Sequence, residues 1–252
     1  MDILEVIKHT FDVEGVSFVL ITNKQQLKAS INHCYGHSVD ANNYLEKFLK
    51  FTIKLPDTHT ENGYDYLDNS VSHYQKLIKQ SPNLRKTELD KEGSMAIITH
   101  IITLHRISLR EIETLIRHLE VYQVLTEGHG LAANLNFGQK LLRLIGVVMF
   151  SFRPDLANAL DNEMLDAIIF GSFLGVEGVA SLDDGYPEDH QVLAVMIGQE
   201  CSVNSEQYTP DTNSDHEWER LIRQYFGREI PFSKGDRSKI IQDTLKTLNL
   251  RQ

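Results

Sequence analysis

The run Val16-Ser-Phe-Val-Leu-Ile21 constrains this chain more than any other stretch. It follows a Glu14-Gly15 turn signal, is almost wholly apolar, and is rich in β-branched and aromatic residues. Such a run predicts a strand buried on both faces, the habit of a central strand in a parallel sheet. Thr22 and Asn23 end it with polar atoms. In an open α/β sheet the ligand crevice lies just beyond the carboxyl ends of the strands, so Asn23 stands where a side chain would meet a ligand. Leu27, Ile31 and Cys34 then recur at helical spacing, which puts Cys34 on a packing face, and Tyr35-Gly36 stops that helix. Asp40 is a good N-cap for a second helix through Tyr44, Leu45, Phe48 and Leu49. Phe51, Ile53 and Leu55 alternate like a second strand, closed by Pro56.

The words FVLITNKQQLKASI, DANNYLEKFLKFTIKLP and ISLREIETLIRHL, in that order, resemble the KAP family of P-loop NTPases downstream of its Walker B strand. In that family an apolar strand ends in a short polar step and leads into a helix, a Tyr-Leu-x-Lys-Phe element and a strand ending in Leu-Pro. The resemblance covers roughly the first half of the chain. It implies a nucleotide site to which Asn23 contributes as a polar residue at a strand end. Lys47, in Tyr-Leu-Glu-Lys-Phe, and Arg110, in Ser-Leu-Arg-Glu, are the basic residues it would bring toward phosphates. One departure is Asn23 itself, which stands where many members carry an acid. Read as residues alone, Asn23 is a helix cap and the two cations are surface ion-pair partners.

A P-loop enzyme also needs G-x-x-x-x-G-K-[ST], whose amides and lysine hold the phosphates, and an acidic strand end that helps place Mg²⁺. Neither motif occurs in these 252 residues. Gly138-Gln139-Lys140 is followed by Leu141 where a hydroxyl is required, and Lys234-Gly235-Asp236 has the wrong order. The expectation is therefore the C-terminal, truncated portion of such an ATPase, unable to hydrolyse ATP alone. ATP and Mg²⁺ are the cofactors of a complete family member, with none expected for this chain by itself.

The formal charge of -10 argues against nonspecific nucleic-acid binding, which clustered Lys and Arg drive. The charge is uneven. Between Arg153 and Arg220 there is no Lys or Arg, while fifteen acids accumulate, among them Asp183, Asp184, Glu188 and Asp189. This reads as a solvated acidic face or as a docking site for a basic protein. Two distant cysteines, Cys34 and Cys201, and no signal peptide point to free thiols in the cytoplasm. Leu141 to Phe152 and Met164 to Ala180 are too short, or interrupted by Glu177, to cross a membrane, and read as buried helices.

Ile3, Leu4, Ile7 and Phe11 predict an amphipathic first helix. Asp57 to Asn69 is polar and reads as a loop at the domain boundary. Beyond it the periodicity is helical throughout. Helices are predicted around Val71 to Ile78, Met95 to Leu104, from the capping box Ser108-Leu-Arg-Glu111 to Leu125, and over Phe137 to Phe152. Further helices are predicted at Leu156 to Leu160, Leu165 to Val176 and Gln191 to Gly198. Glu200 to Asn213 reads as a mobile loop. A second capping box, Ser214-Asp-His-Glu217, opens a helix ended by Gly227, and Ser233 caps the last one, through Leu248. The histidines are poorly spaced for a metal, His100 and His105 being five apart, and Trp218 reads as core.

The fold class expected is mainly α with a small α/β part: a remnant parallel sheet of a P-loop NTPase core over residues 1–60, then an all-helical region over 61–252. The helical region would combine a lid with a C-terminal extension. An unpaired edge at Val16 to Thr22 would favour self-association, or pairing with an N-terminal NTPase half. The alternative function is a noncatalytic protein-interaction module built on the helical region and its acidic face.

Overall fold

The computed structural model describes residues 19–49, 51–61, 65–179, 181–182, 187–210, 214–226 and 235–249. They belong to two compact units, one ending at Pro56 and the other beginning at Asp57.

In the first unit, α1 (Lys24–Tyr35) and α2 (Ala41–Glu46) pack on a small core of Ile31, Ala41 and Leu45. Each helix starts on a side-chain cap. Asn23 Oδ1 accepts the amides of Gln25 and Gln26 at 3.0 and 3.2 Å, and Asp40 Oδ1 accepts those of Asn42 and Asn43 at 2.9 and 3.3 Å. These bonds satisfy amides that have no carbonyl partner within the first turn. Cys34 is exposed rather than packed. A spacing shared with Leu27 and Ile31 places a residue on a face, but the core under this helix is too small to reach its last turn.

The expected parallel sheet is not seen among the described residues. Val19 to Thr22 and Phe51 to Leu55 form no strand, and Ile21 and Phe51 are 92% and 89% exposed. Val16 to Phe18, and the helix predicted before them, lie outside the described residues. The physical reason is that β-branched and aromatic content measures how well a segment fits a pleated, half-buried surface. It does not supply the neighbouring ladder and covering helices that a two-sided burial requires. The pairing that does form is antiparallel and lies in the stretch read as a loop. Strand β1 (Thr58–Glu61) pairs with β2 (Asp65–Asp68), in register from Thr58 opposite Asp68 to Glu61 opposite Asp65. The sequence does carry Asn62-Gly63 between these segments, a dipeptide that favours hairpin turns and that a reading by polarity alone passes over.

The second unit, which begins with this ladder, is otherwise helical among the described residues. Its helices are α3 (Asn69–Gln80), α4 (Glu92–His105), α5 (Leu109–Leu125), α6 (Phe137–Phe152), α7 (Pro154–Asp161), α8 (Ala167–Phe173), α9 (Asp189–Gly198), α10 (Asp215–Phe226) and α11 (Asp236–Asn249). The centre is α6, which buries Leu141, Leu142, Leu144, Ile145, Val147, Val148 and Met149 and touches α5, α7 and α11. Helix α11 comes closest. An added Cβ at Gly146 would sit 2.9 Å from the Thr244 side chain and 3.4 Å from the Ile241 carbonyl, so only glycine lets the two backbones approach this far. Trp218 is core, as its helical stripe implied.

Tertiary contacts moved some boundaries. Helix α8 is shorter than Leu165 to Val176 because Leu165 is taken by an extended exchange. The Val203 amide donates to the Leu165 carbonyl, and the Ala167 amide to the Val203 carbonyl. Asp166 then caps α8 through the amides of Ile168 and Ile169, and Asn204 Nδ2 holds its other oxygen at 2.7 Å. Gly175, at φ +76, ends the helix where an L side chain would be strained. The segment read as mobile after Glu200 contains a 3-10 turn (Ser205–Tyr208), and Tyr208 is fully buried beneath it. The positions of Gly227 and Ser233 lie outside the described residues.

Two predictions follow from this packing. Gly146→Ala should cost about 1–3 kcal/mol, because Thr244 is buried and cannot swing aside. Urea unfolding of the full chain measures that loss. The second concerns pH. Burial, with Arg117 second for His118 and His100 second for His190, holds both imidazoles below the usual 6.5. A depressed folded pKa means the stabilisation is complete above the unfolded value and is lost as pH falls through the folded one. The urea midpoint should thus drop between about pH 7 and about pH 5, and the drop should shrink in the double variant His118→Asn, His190→Asn.

Candidate functional site

The three residues singled out by sequence fall in different units. Asn23 caps the start of α1 and Lys47 the end of α2, and Leu27, four residues after Asn23, and Leu49, two residues beyond Lys47, both pack on the small core of this unit. Asn23 spends its carbonyl oxygen on the cap, while its amide hydrogens face solvent with no partner among the described residues. Lys47 is exposed at the end of α2 and enters no ion pair with a described residue. Arg110 belongs to the second unit, in the first turn of α5, and is exposed with its guanidinium unengaged by any described residue. The capping box beside it is complete: Ser108 Oγ accepts from the Glu111 amide, and Glu111 accepts from the Ser108 amide at 2.8 Å. The Ser108 hydroxyl, which donates to the Glu111 carboxylate at 2.7 Å, and after it the Ser108 amide hold that carboxyl below its usual range.

The histidines serve as hydrogen-bond clamps. A carbonyl only accepts, so Nε2 of His100 donates to the Leu174 oxygen and Nε2 of His105 to the Phe173 oxygen, each at 2.8 Å. They close the carboxyl end of α8, where carbonyls lack helical partners. His100 also stacks on His190, with ring centroids 3.8 Å apart. No group of three metal-ligating side chains occurs among the described residues.

Several acids of the cation-free stretch have specific structural roles. Asp166 caps α8, and Glu188 forms a capping box with Gln191 at the start of α9. Glu200 is the most consequential, and no local sequence pattern marks it, because the amide it accepts lies 38 residues away. Its side chain is 0% exposed, one oxygen accepts the Ser238 amide at 2.7 Å, and the other lies 3.6 Å from Arg237 Nε. It therefore caps α11 from 38 residues away in sequence. Burial raises its pKa, against the opposing pull of the Ser238 amide and Arg237.

Lys140 is buried as well. Nζ donates to the Thr87 carbonyl at 2.8 Å, which ties α6 to the turn after α3, and burial holds the ammonium below its ordinary pKa. Near that tie, Lys86, Thr87, Gln123 and Glu127 border a cleft of about 380 Å³. A second cleft, of about 370 Å³, follows the seam of α5, α6 and α11. Its floor is the contact of Tyr122 Oη with Thr244 Oγ1 at 3.4 Å, and Arg143, His129, Gln139 and Asp243 line it.

No described helix is long and apolar enough to cross a membrane. Comparison with the curated proteins gave no match, and comparison with the solved structures gave none. A family model did match, that of the KAP family P-loop domain, over residues 1–126. The matched region takes in the α1–α2 hairpin, the β1–β2 ladder and helices α3 to α5, and it ends at Thr126, which closes α5. It includes Asn23, Lys47 and Arg110, and it covers half of the 252 residues. This chain belongs to the KAP family, whose P-loop domain its first half matches.

Proposed function

We propose that this chain carries the portion of a KAP-family ATPase that follows the Walker B strand, and that it does not hydrolyse ATP by itself. The observation that carries this reading is a sequence matching the family over residues 1–126 that contains no G-x-x-x-x-G-K-[ST] loop. Without that loop there is no cradle of amides and no lysine on the β- and γ-phosphates, and positioning is most of what phosphoryl transfer asks of a protein. Asn23, Lys47 and Arg110 are the residues through which the chain would contribute to a nucleotide site. Support for them is that each keeps donors unengaged by described residues, and that two of them are cations, the charge a polyphosphate requires. ATP and Mg²⁺ would be supplied with the rest of the phosphate-binding machinery.

A second reading is a noncatalytic interaction module in the second unit. It is favoured by apolar side chains left exposed on α5, namely Val121, Val124 and Leu125. The acidic stretch supports it less, since Asp166 and Glu200 are already committed to caps.

Calorimetry with Mg-ATP at about 1 mM should show no binding or a Kd of that order, and no phosphate release should be detected. Micromolar affinity, or turnover lost in Lys47→Ala or Arg110→Ala, would overturn the leading reading. Capture of a partner protein that is lost in Val124→Asp, with ATP without effect, would put the second in its place.

A further inference from the structure

The seam between α5, α6 and α11 holds open charges of both signs around one cleft. Its hydroxyl groups are already satisfied. Thr244 Oγ1 donates to the Ile240 carbonyl at 2.9 Å, so Tyr122 Oη donates to Thr244. Thr126 Oγ1 donates to the Tyr122 carbonyl at 2.7 Å and accepts the Gly130 amide at 2.9 Å. Thr247 Oγ1 donates to the Asp243 carbonyl at 2.8 Å. These bonds build a fixed floor and leave little for a ligand to claim there.

The charged groups are different. Arg143 spends only Nη1, on the carbonyls of His129 and Gly130 at 3.3 and 2.8 Å. That fixes the guanidinium against the turn after α5 and leaves its Nε and Nη2 edge unbonded among the described residues. Elsewhere in this protein the same edge is the one that binds a carboxylate. Arg153 Nε and Nη2 meet the two oxygens of Asp155 at 2.9 and 2.7 Å. Asp243 lines the same cleft, and among the described residues its carboxylate has no cation within ion-pair distance and no hydrogen-bond donor. Both groups are held by rigid elements, α6 and α11, so their separation is set by helix packing.

We propose that this cleft binds a small amino acid, with the ligand carboxylate on the Nε and Nη2 edge of Arg143 and the ligand ammonium on Asp243. A volume of about 370 Å³ suits a molecule of that size, and opposite open charges select a zwitterion over a simple anion. Gln139 and His129 are placed to read polar atoms on its side chain. The ligand bridges α6 and α11, so binding also favours the seated state of the last helix. This inference concerns the second unit alone and stands whether or not the chain takes part in nucleotide chemistry.

The test is titration of the full chain with glycine, β-alanine, 4-aminobutyrate and a panel of larger α-amino acids, with acetate and methylamine as single-charge probes. Calorimetry and amide chemical shifts in α6 and α11 provide the readout. At least one amino acid should bind saturably, and more tightly than either single-charge probe. Asp243→Asn should weaken it by about tenfold or more, as loss of a charge-assisted bond implies, while leaving any acetate binding unchanged. Asp243 is exposed, so that variant should fold, and Arg143→Gln then tests the carboxylate end. Absence of saturable binding across the panel at about 50 mM would overturn the proposal, since affinity that weak leaves the charged pair nothing to explain. So would amino-acid binding that Asp243→Asn leaves intact.

Discussion

The close approach of α11 to α6 is the contact on which the second unit depends. Helix α6 buries side chains on most of its circumference and therefore needs cover on every side. Gly146 lets α11 provide the nearest part of that cover, with Thr244 fitted against it. Besides burying Ile241, Leu245 and Leu248, α11 makes polar attachments that reach into separate elements. Glu200 caps its first turn, Gln242 Nε2 donates to the Leu160 carbonyl at 2.9 Å, and Thr244 receives Tyr122. Apolar packing gives the strength of the junction and these bonds give it one register, because a slip of α11 would leave buried polar atoms without partners.

Much of this architecture could be read from the residues, for identifiable reasons. Caps and periodic stripes are local, so the Ser108 to Glu111 box and the stripe through Ile112, Leu115, Ile116 and Leu119 placed α5. The apolar density of Phe137 to Phe152 marked α6 as a buried helix, which it is. The failures were of another kind. Val19 to Ile21 and Phe51 to Leu55 have the composition of strands, but a strand is a relation between segments, and composition does not provide the second segment. The Glu200 cap, the His100 and His105 clamps and the shortening of α8 by Val203 all join residues tens of positions apart. No pattern within a helical window carries them.

The same distinction applies to function. Family membership was legible because it rests on ordered words in the first half of the chain, which the family match spans. The three nominated residues are divided between two units, and Asn23 caps α1 with its side-chain oxygen, the role its residue type alone implies. The charged cleft was not legible, because Arg143 and Asp243 are a hundred residues apart and share a space only through the packing of α6 and α11. Among the described acids of the cation-free stretch, Asp166, Glu188 and Glu200 have individual roles as caps, which the count of acids does not convey.

Native-state hydrogen exchange on the full chain tests most directly whether the Gly146 to Thr244 contact organises the second unit. Amides of α6 and α11 should be the slowest and should exchange with one common opening free energy, and both should lose protection together in Gly146→Ala. Amides of α1 and α2, in the other unit, should be unaffected by that substitution. Fast exchange of α11 while α6 stays protected, or a Gly146→Ala variant whose α11 amides are unchanged, would contradict the central role of this contact.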